Sequence, residues 1–448
     1  MLRPTLASDQ AAPTADPQLR RVVTGAAVGT FVEWFDFAVY GYLAYLIAGQ
    51  FFAQSDRTAE LLATFAVFAI AFFARPLGGF FFGYLGDRYG RRTSLAICVL
   101  IMSASTGLIG LMPSFAQIGL WAPALLVLLR LAQGFSAGGE QSGAQTLLIE
   151  ASPDSRRVWY GSTLQISQFL GQLSAALLVT FLAWSVSTPD MESWGWRIPF
   201  LAALPLGLIG LYIRMRIQDG EAYRTVAAEG RTARFPVREA FRSHGRQMAT
   251  LFGFWIAIQV GFYLAFVFMP SYLIERGNIG DGKSLLVSSL SLGFLIVGLP
   301  FAARVADRIP RRRGLMLLCA GLAVVPWPAM ALVGENNLAT VIAAQLLMMS
   351  PFLLVPIAGV VTVELFPTRV RYTCSAVAYG TCTMLFGGTA PYIATYLVDK
   401  TGLVTAPAIY LTCASIVSLT VVLWALPETK GTPLVRDEDT RTTENGKV

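Results

Sequence analysis

Apolar runs long enough to cross a bilayer, about 20 residues each, alternate with short charged turns along almost the whole chain. In lipid a segment must satisfy its own backbone hydrogen bonds, so runs of this length read as helices. The pattern predicts twelve spans: 22–50, 58–84, 93–112, 120–150, 158–184, 197–217, 247–275, 284–306, 313–333, 338–365, 371–398 and 404–426. One long interior interruption, 218–246, divides them six and six. The expected organisation is a tail at 1–21, a six-helix bundle at 22–217, a linker at 218–246, a second bundle at 247–426 and a polar tail at 427–448, the last expected to be disordered.

The positive charges of the turns orient the chain. On one side lie Arg88, Arg91, Arg92, Arg156, Arg157, the arginines from Arg214 to Arg246, Arg308, Arg311, Arg312, Arg313, Arg369 and Arg371. The other side carries only Arg57, Arg197, Arg276, Lys283 and Lys400. An arginine excess marks the cytoplasmic face, which places both termini there. The densest of these turns, Gly83 to Arg92, reads G-Y-L-G-D-R-Y-G-R-R. Its Asp87, Arg88, Arg91 and Arg92 are expected to lie in water, and Gly83, Gly86 and Gly90 to let two helices approach closely. The halves echo one another: Asp87-Arg88…Arg91-Arg92 recurs as Asp307-Arg308…Arg311-Arg312, with Ala303 and Pro310 where the first copy has Gly83 and Gly90. Glu150…Pro153…Arg156 recurs loosely as Glu364…Pro367…Arg369. Two six-span repeats around a central cavity suit alternating access by rocking halves.

Composition agrees with this reading. Of 448 residues 55% are hydrophobic and 14% charged, with a mean hydropathy of +0.58; soluble domains carry about a quarter charged residues. The net charge of +7 resides in the short turns and so reports topology rather than a nucleic-acid surface. Cys98, Cys319, Cys374, Cys382 and Cys413 fall in apolar segments without paired spacing, reading as small core residues rather than disulfides or metal ligands. Residues 1–20 lack the apolar stretch of a cleavable signal, which leaves the first span as the insertion signal. The run Gly277–Ser284, G-N-I-G-D-G-K-S, fits a phosphate-loop pattern, but a membrane span precedes it where that loop needs a strand.

An ionisable side chain inside a span is expensive and points to function. These are Glu33, Asp36, Arg75, Arg130 and Glu140, with Glu150 and Glu364 near helix ends. Glu33 and Asp36 share one helix face with Tyr40 a turn further on, and two carboxylates there suit reversible protonation. The alternative is that one of them pairs with Arg130 or Arg75 to hold helices together. Arg130 returns to the face of Gln141 along R-L-A-Q-G-F-S-A-G-G-E; it needs a carboxylate partner, from Asp36, Glu140 or a bound anion. Arg75 reads as structural. Gln165, Gln168 and Gln172 form a polar stripe, and Gln259, Tyr263, Gln345, Tyr379 and Thr383 are the polar candidates of the second half; helix–helix hydrogen bonds are the equal alternative. Trp194, Trp196 and Arg197 are expected to anchor the membrane interface. His244, the sole histidine, lies in the linker, so no histidine relay is expected within the membrane.

The spacing of the Gly83–Arg92 turn resembles the signature loop of the major facilitator superfamily. With G-T-F-V-E-W-F-D-F-A-V-Y-G (Gly29–Gly41), F-A-R-P-L-G-G, L-L-R-L-A-Q-G-F-S-A-G-G-E, W-G-W-R-I-P-F and E-L-F-P-T-R-V-R, the chain is similar to its metabolite:H⁺ symporter branch across essentially all twelve spans. The resemblance implies proton-coupled uptake of a small carboxylate-bearing metabolite across a bacterial cytoplasmic membrane. Glu33, Asp36 and Glu140 would then be the coupling carboxylates. Tyr40, Arg130, Gln141, Gln165, Gln168, Gln259, Tyr263 and Tyr379 would be the binding residues, and Gly83, Asp87, Arg88, Gly90, Arg91, Arg92, Asp307 and Arg308 the gate. Ala202–Arg214 and Met269–Leu273 look most like the proline/betaine transporters. An arginine at 130 where those have a lysine, and no coiled-coil heptads after Leu426, depart from them. Trp34, Tyr40 and Tyr263 would suit a quaternary ammonium. Implied partners are the substrate, protons and lipid, with one copy sufficing; no metal, cofactor or catalytic residue is expected. The rivals are an α-ketoglutarate-type dicarboxylate or citrate symporter, and a non-transporting sensor of the same fold.

Overall fold

A computed structural model describes residues 17–52, 57–233, 235–275, 281–333 and 337–435. The start of the glycine-rich run at 277–280, most of the N-terminal tail and the end of the C-terminal tail lie outside the described residues. The chain is all-helical, with twelve membrane helices in two six-helix bundles. Ten of the helices are long and apolar enough to cross a bilayer among the described residues. The other two are the second span, Arg57–Tyr89, and the eleventh, Arg371–Cys382 continuing after a break as Ala390–Thr401.

The first bundle comprises Pro17–Tyr42, Arg57–Tyr89, Arg91–Leu111, Trp121–Ala151, Arg157–Ser185 and Arg197–Met215. The second comprises Pro236–Phe268, Asp281–Ala306, Arg311–Val333, Leu338–Glu364, the eleventh span and Ala406–Trp424. The second span crosses the eleventh, and the fifth crosses the eighth, where the bundles meet.

Several spans are interrupted where polar groups face the seam. The first span stops at Tyr42 and resumes as Ala44–Phe51, because Leu43 leaves helical geometry (φ −98°, ψ 8°). The seventh and eleventh carry π-helical turns at Leu264–Phe268 and Thr383–Gly387; such turns often mark functional positions.

The linker and tail are more ordered than their polarity suggests. Glu221–Ala228 is a helix whose Ala222, Tyr223 and Val226 are buried, and Arg91 stacks over the Tyr223 ring at 4.3 Å. Burial pushes the Tyr223 hydroxyl up to about 12 and raises the Asp219 carboxyl. The expected disorder of the tail fails for residues 427–435: Leu434 is buried and Thr429 donates to Glu364 at 2.7 Å. Trp196 does not anchor an interface. It is fully buried between Phe51 and Phe200, while Trp194 is exposed and Arg197 donates to the third span's terminal carbonyls, Gly110 and Met112. Four cysteines are buried, and Cys413 faces outward.

Candidate functional site

Polar side chains converge at mid-membrane on the first, second and fourth spans. Asp36 does not touch Arg130 directly. Gln133 stands between them, its Nε2 donating to both Asp36 oxygens (3.0 and 2.9 Å) and to Thr106 (2.8 Å), while its Oε1 accepts from Arg130 at 2.9 Å. Gln133 follows Arg130 by three residues and so shares its helix face. The Arg130 guanidinium lies over the Tyr40 ring at 4.0 Å and near Phe37 at 5.3 Å. All of these groups are buried, so the charged ones require partners.

Arg75, expected to be structural, lies beside this cluster. It is buried between Phe37 (4.9 Å) and Phe72 (4.6 Å) and faces Glu33 and Tyr263. Aromatic side chains from both bundles meet beside it: Trp34 against Phe262 at 5.3 Å and Phe72 against Tyr263 at 5.5 Å. Trp255 packs on Tyr379 at 4.9 Å on the far side. Gln259 donates to Thr383, linking the seventh span to the π turn of the eleventh. Gln345 donates to the Ala265 carbonyl at 2.9 Å and is therefore a brace for the other π turn. Gln141, Gln165, Gln168 and Gln172 are buried, with Gln141 Oε1 and Gln165 Oε1 lacking hydrogen-bond partners among the described residues.

Two sequence expectations need correction here. Glu33 and Asp36, although on one face, enter different clusters: Asp36 joins Gln133, and Glu33 borders a narrow gap lined by Gly29, Cys98, Met102 and Glu140. Glu140 is not an alternative partner of Arg130. It is held by Arg214, which donates to Oε2 at 2.7 Å and to Oε1. Arg214, counted with the arginine-rich side at the end of the sixth span, is buried.

At the arginine-rich end the bundles are locked together. Asp87 accepts from the backbone N–H groups of Tyr372 (3.2 Å) and Thr373 (2.8 Å) at the start of the eleventh span. Asp307 accepts from those of Val158 (2.9 Å) and Trp159 (3.0 Å) at the start of the fifth. Each carboxylate thus caps a helix of the opposite bundle, the favoured place for negative charge. Arg91 and Arg371 converge on Glu150 at 3.3 and 2.7 Å; Arg157 and Arg311 converge on Glu364 at 2.9 and 3.6 Å. Asp87, Arg91, Arg157, Arg311 and Arg371 are therefore buried between bundles instead of lying in water. Arg88 and Arg308 remain exposed. Arg92 donates through its backbone to Asp219 at 2.9 Å. Gly90 takes φ +105°, a conformation that favours glycine, and leaves room for the Asp219 carboxylate. Gly83 sits so close to the eleventh span that a Cβ would come within 2.6 Å of the Thr373 Cα.

Comparison with known proteins agrees with this architecture. The family model described as "Sugar (and other) transporter" matches residues 22–224 and again 220–438. A proline/betaine transporter of Salmonella typhimurium is 36% identical over 94% of this chain and 85% of its own length. A glycine betaine/proline/ectoine/pipecolic acid transporter of Dickeya dadantii is also 36% identical, with the same coverage. An ectoine/proline transporter of Corynebacterium glutamicum is 33% identical over 99% of this chain and 91% of its own. Among solved structures, the major facilitator proton:xylose symporter XylE bound to 6-bromo-6-deoxy-D-glucose superimposes with a TM-score of 0.79 at 17% identity, covering 93% of this chain and 98% of that one.

Proposed function

The chain belongs to the Sugar (and other) transporter family, and on that premise we propose that it is a secondary active transporter coupling proton entry to uptake of a small zwitterion such as proline or glycine betaine. The observation that carries this reading is the Asp36–Gln133–Arg130 link among aromatic rings. A substrate carboxylate would pair with Arg130 or Arg75, both buried and flanked by aromatic faces. Its ammonium would meet the rings of Trp34, Tyr40, Phe72 or Tyr263. When a substrate carboxylate takes a guanidinium, the protein carboxylate facing it loses its countercharge, and a proton restores neutrality. That exchange links the two fluxes. Gln165, Gln168, Gln259 and Tyr379 complete the lining.

The protein would lie in the cytoplasmic membrane as a monomer, both termini and the arginine-rich end inside, and work without a cofactor. The locked inner end is the outward-oriented stage of the cycle, and the two clamps must release for substrate to leave. The likeness to named transporters weighs against an enzyme. Two interior guanidiniums, Arg75 and Arg130, support a second reading, a dicarboxylate of the α-ketoglutarate kind.

Uptake into proteoliposomes under an imposed inward proton gradient separates these. Accumulation of labelled glycine betaine or proline that collapses with a protonophore supports the first reading; accumulation of α-ketoglutarate alone would replace it. With neither accumulated, the transport reading gives way to a sensor.

A further inference from the structure

The buried pair Glu140–Arg214 stands apart from the substrate site and still touches its proton chemistry. Arg214 closes the sixth span, donates to both Glu140 oxygens and reaches the Leu95 carbonyl at 2.7 Å. Its guanidinium lies against Gly29 of the first span: a Cβ there would overlap Arg214 Nη2 and come within 2.7 Å of Glu140 Oε1. One helical turn beyond Gly29 is Glu33, buried, its Oε2 without a hydrogen-bond partner among the described residues. Gly29, Glu33 and Glu140 line the same narrow gap.

Three carboxylates, Glu33, Asp36 and Glu140, therefore stand against three guanidiniums, Arg75, Arg130 and Arg214. Asp36 is tied through Gln133 to Arg130 and Glu140 to Arg214, which leaves Arg75 as the cation facing Glu33. The remaining titratable groups around Glu33 are Cys98 on the third span and Tyr263 and Tyr379 from the opposite bundle. A substrate carboxylate that claims Arg75 strands Glu33 next to the Glu140–Arg214 pair.

We propose that Arg214 is a positioning residue for the coupling proton: by occupying both Glu140 oxygens it leaves Glu33 as the group that carries the proton. The proton binds a Glu33 oxygen from outside water and returns to water when the arginine-rich end opens; no other bond changes. The inference rests on the proton-coupled reading above.

The test is the external-pH profile of labelled glycine betaine uptake in proteoliposomes, for variants that disturb Glu33 in opposite senses. Arg214→Gln removes the cation that engages Glu140, so the buried Glu33–Glu140 pair holds a proton more tightly and the optimum moves alkaline by about one pH unit. Glu140→Gln frees Arg214 toward Glu33, so the optimum moves acid by about as much. Arg214→Lys keeps the wild-type optimum. Folding is checked by gel filtration; if Arg214→Gln does not fold, the acid shift of the isosteric Glu140→Gln decides. Unmoved optima, or shifts in one common direction, would overturn the proposal. Failure of the wild type to accumulate glycine betaine would instead sink the underlying reading, and this inference with it.

Discussion

The turn after the second span and the turn after the eighth do the same work in their two bundles, but only the first buries its aspartate–arginine pair completely. Asp87 and Arg91 are fully enclosed, 3.2 Å apart. Asp307 is partly exposed, with Arg311 at 4.0 Å. Gly83 lets the second span ride against the backbone of the eleventh, whereas the matching position of the eighth span carries Ala303. The tail supports both clamps, touching the first through the Leu434 carbonyl, which accepts from Arg371 at 2.7 Å, and the looser one at more points. Glu428 accepts from the Arg311 backbone at 2.8 Å, Lys430 donates to the Arg308 carbonyl at 2.8 Å, and the Thr432 carbonyl accepts from Arg157 at 3.2 Å. The lesson is that a repeated motif can be conserved in geometry and still differ in strength, because burial sets how much each ion pair contributes.

Unequal effects of matched substitutions would sharpen that comparison, and equal ones would break it. Asp87→Ala leaves two buried backbone donors unpaired and takes from buried Arg91 one of its two carboxylates, a loss of about 3–5 kcal/mol for the locked state. The open fraction, read by spin-label distances across the arginine-rich end, should rise a hundredfold or more. Asp307→Ala should cost less by the same readout, about 1–3 kcal/mol, since Asp307 is only half-buried and Arg311 keeps Glu364 as a partner. Gly83→Ala comes next: its methyl meets backbone rather than a yielding side chain, at about 1–3 kcal/mol. The mirror change Ala303→Gly should leave the distance unaltered and cost about 1 kcal/mol of helix stability, seen in thermal unfolding.

The smallest effect concerns pH. Burial raises the Asp307 carboxyl, although the Val158 and Trp159 amides pull it back. The locked state therefore binds the proton more readily than an open state in which Asp307 is hydrated. Acidifying the inner side through the carboxylate range should modestly favour locking. Asp307→Asn should abolish that dependence, and a titration of the distance distribution would show it.

Much of this was legible in the chain itself. Twelve apolar runs had to be helices because lipid offers no other backbone partners, and the Asp87 and Asp307 repeats announced the two clamps. What stayed hidden depended on contacts between distant segments. Arg214 sits next to Arg216 at a helix end and looked like a loop charge; the signal was Glu140, a buried carboxylate that needed a cation. Arg91, Arg157, Arg311 and Arg371 were legible as turn charges, but their burial follows only once the opposite bundle covers them. Gln133 was readable as the residue one turn from Arg130. Trp194 and Trp196 are two positions apart, and only packing on Phe51 and Phe200 tells the buried one from the interfacial one.

The central claim is that proton and substrate together release the arginine-rich lock. Spin labels at Arg88 and Arg308, both exposed and on opposite bundles, would report its opening in a cysteine-free background. The account predicts a short distance with glycine betaine alone or acid pH alone, and a long-distance population when both are present. Opening by either one alone, or by neither combination, would contradict it.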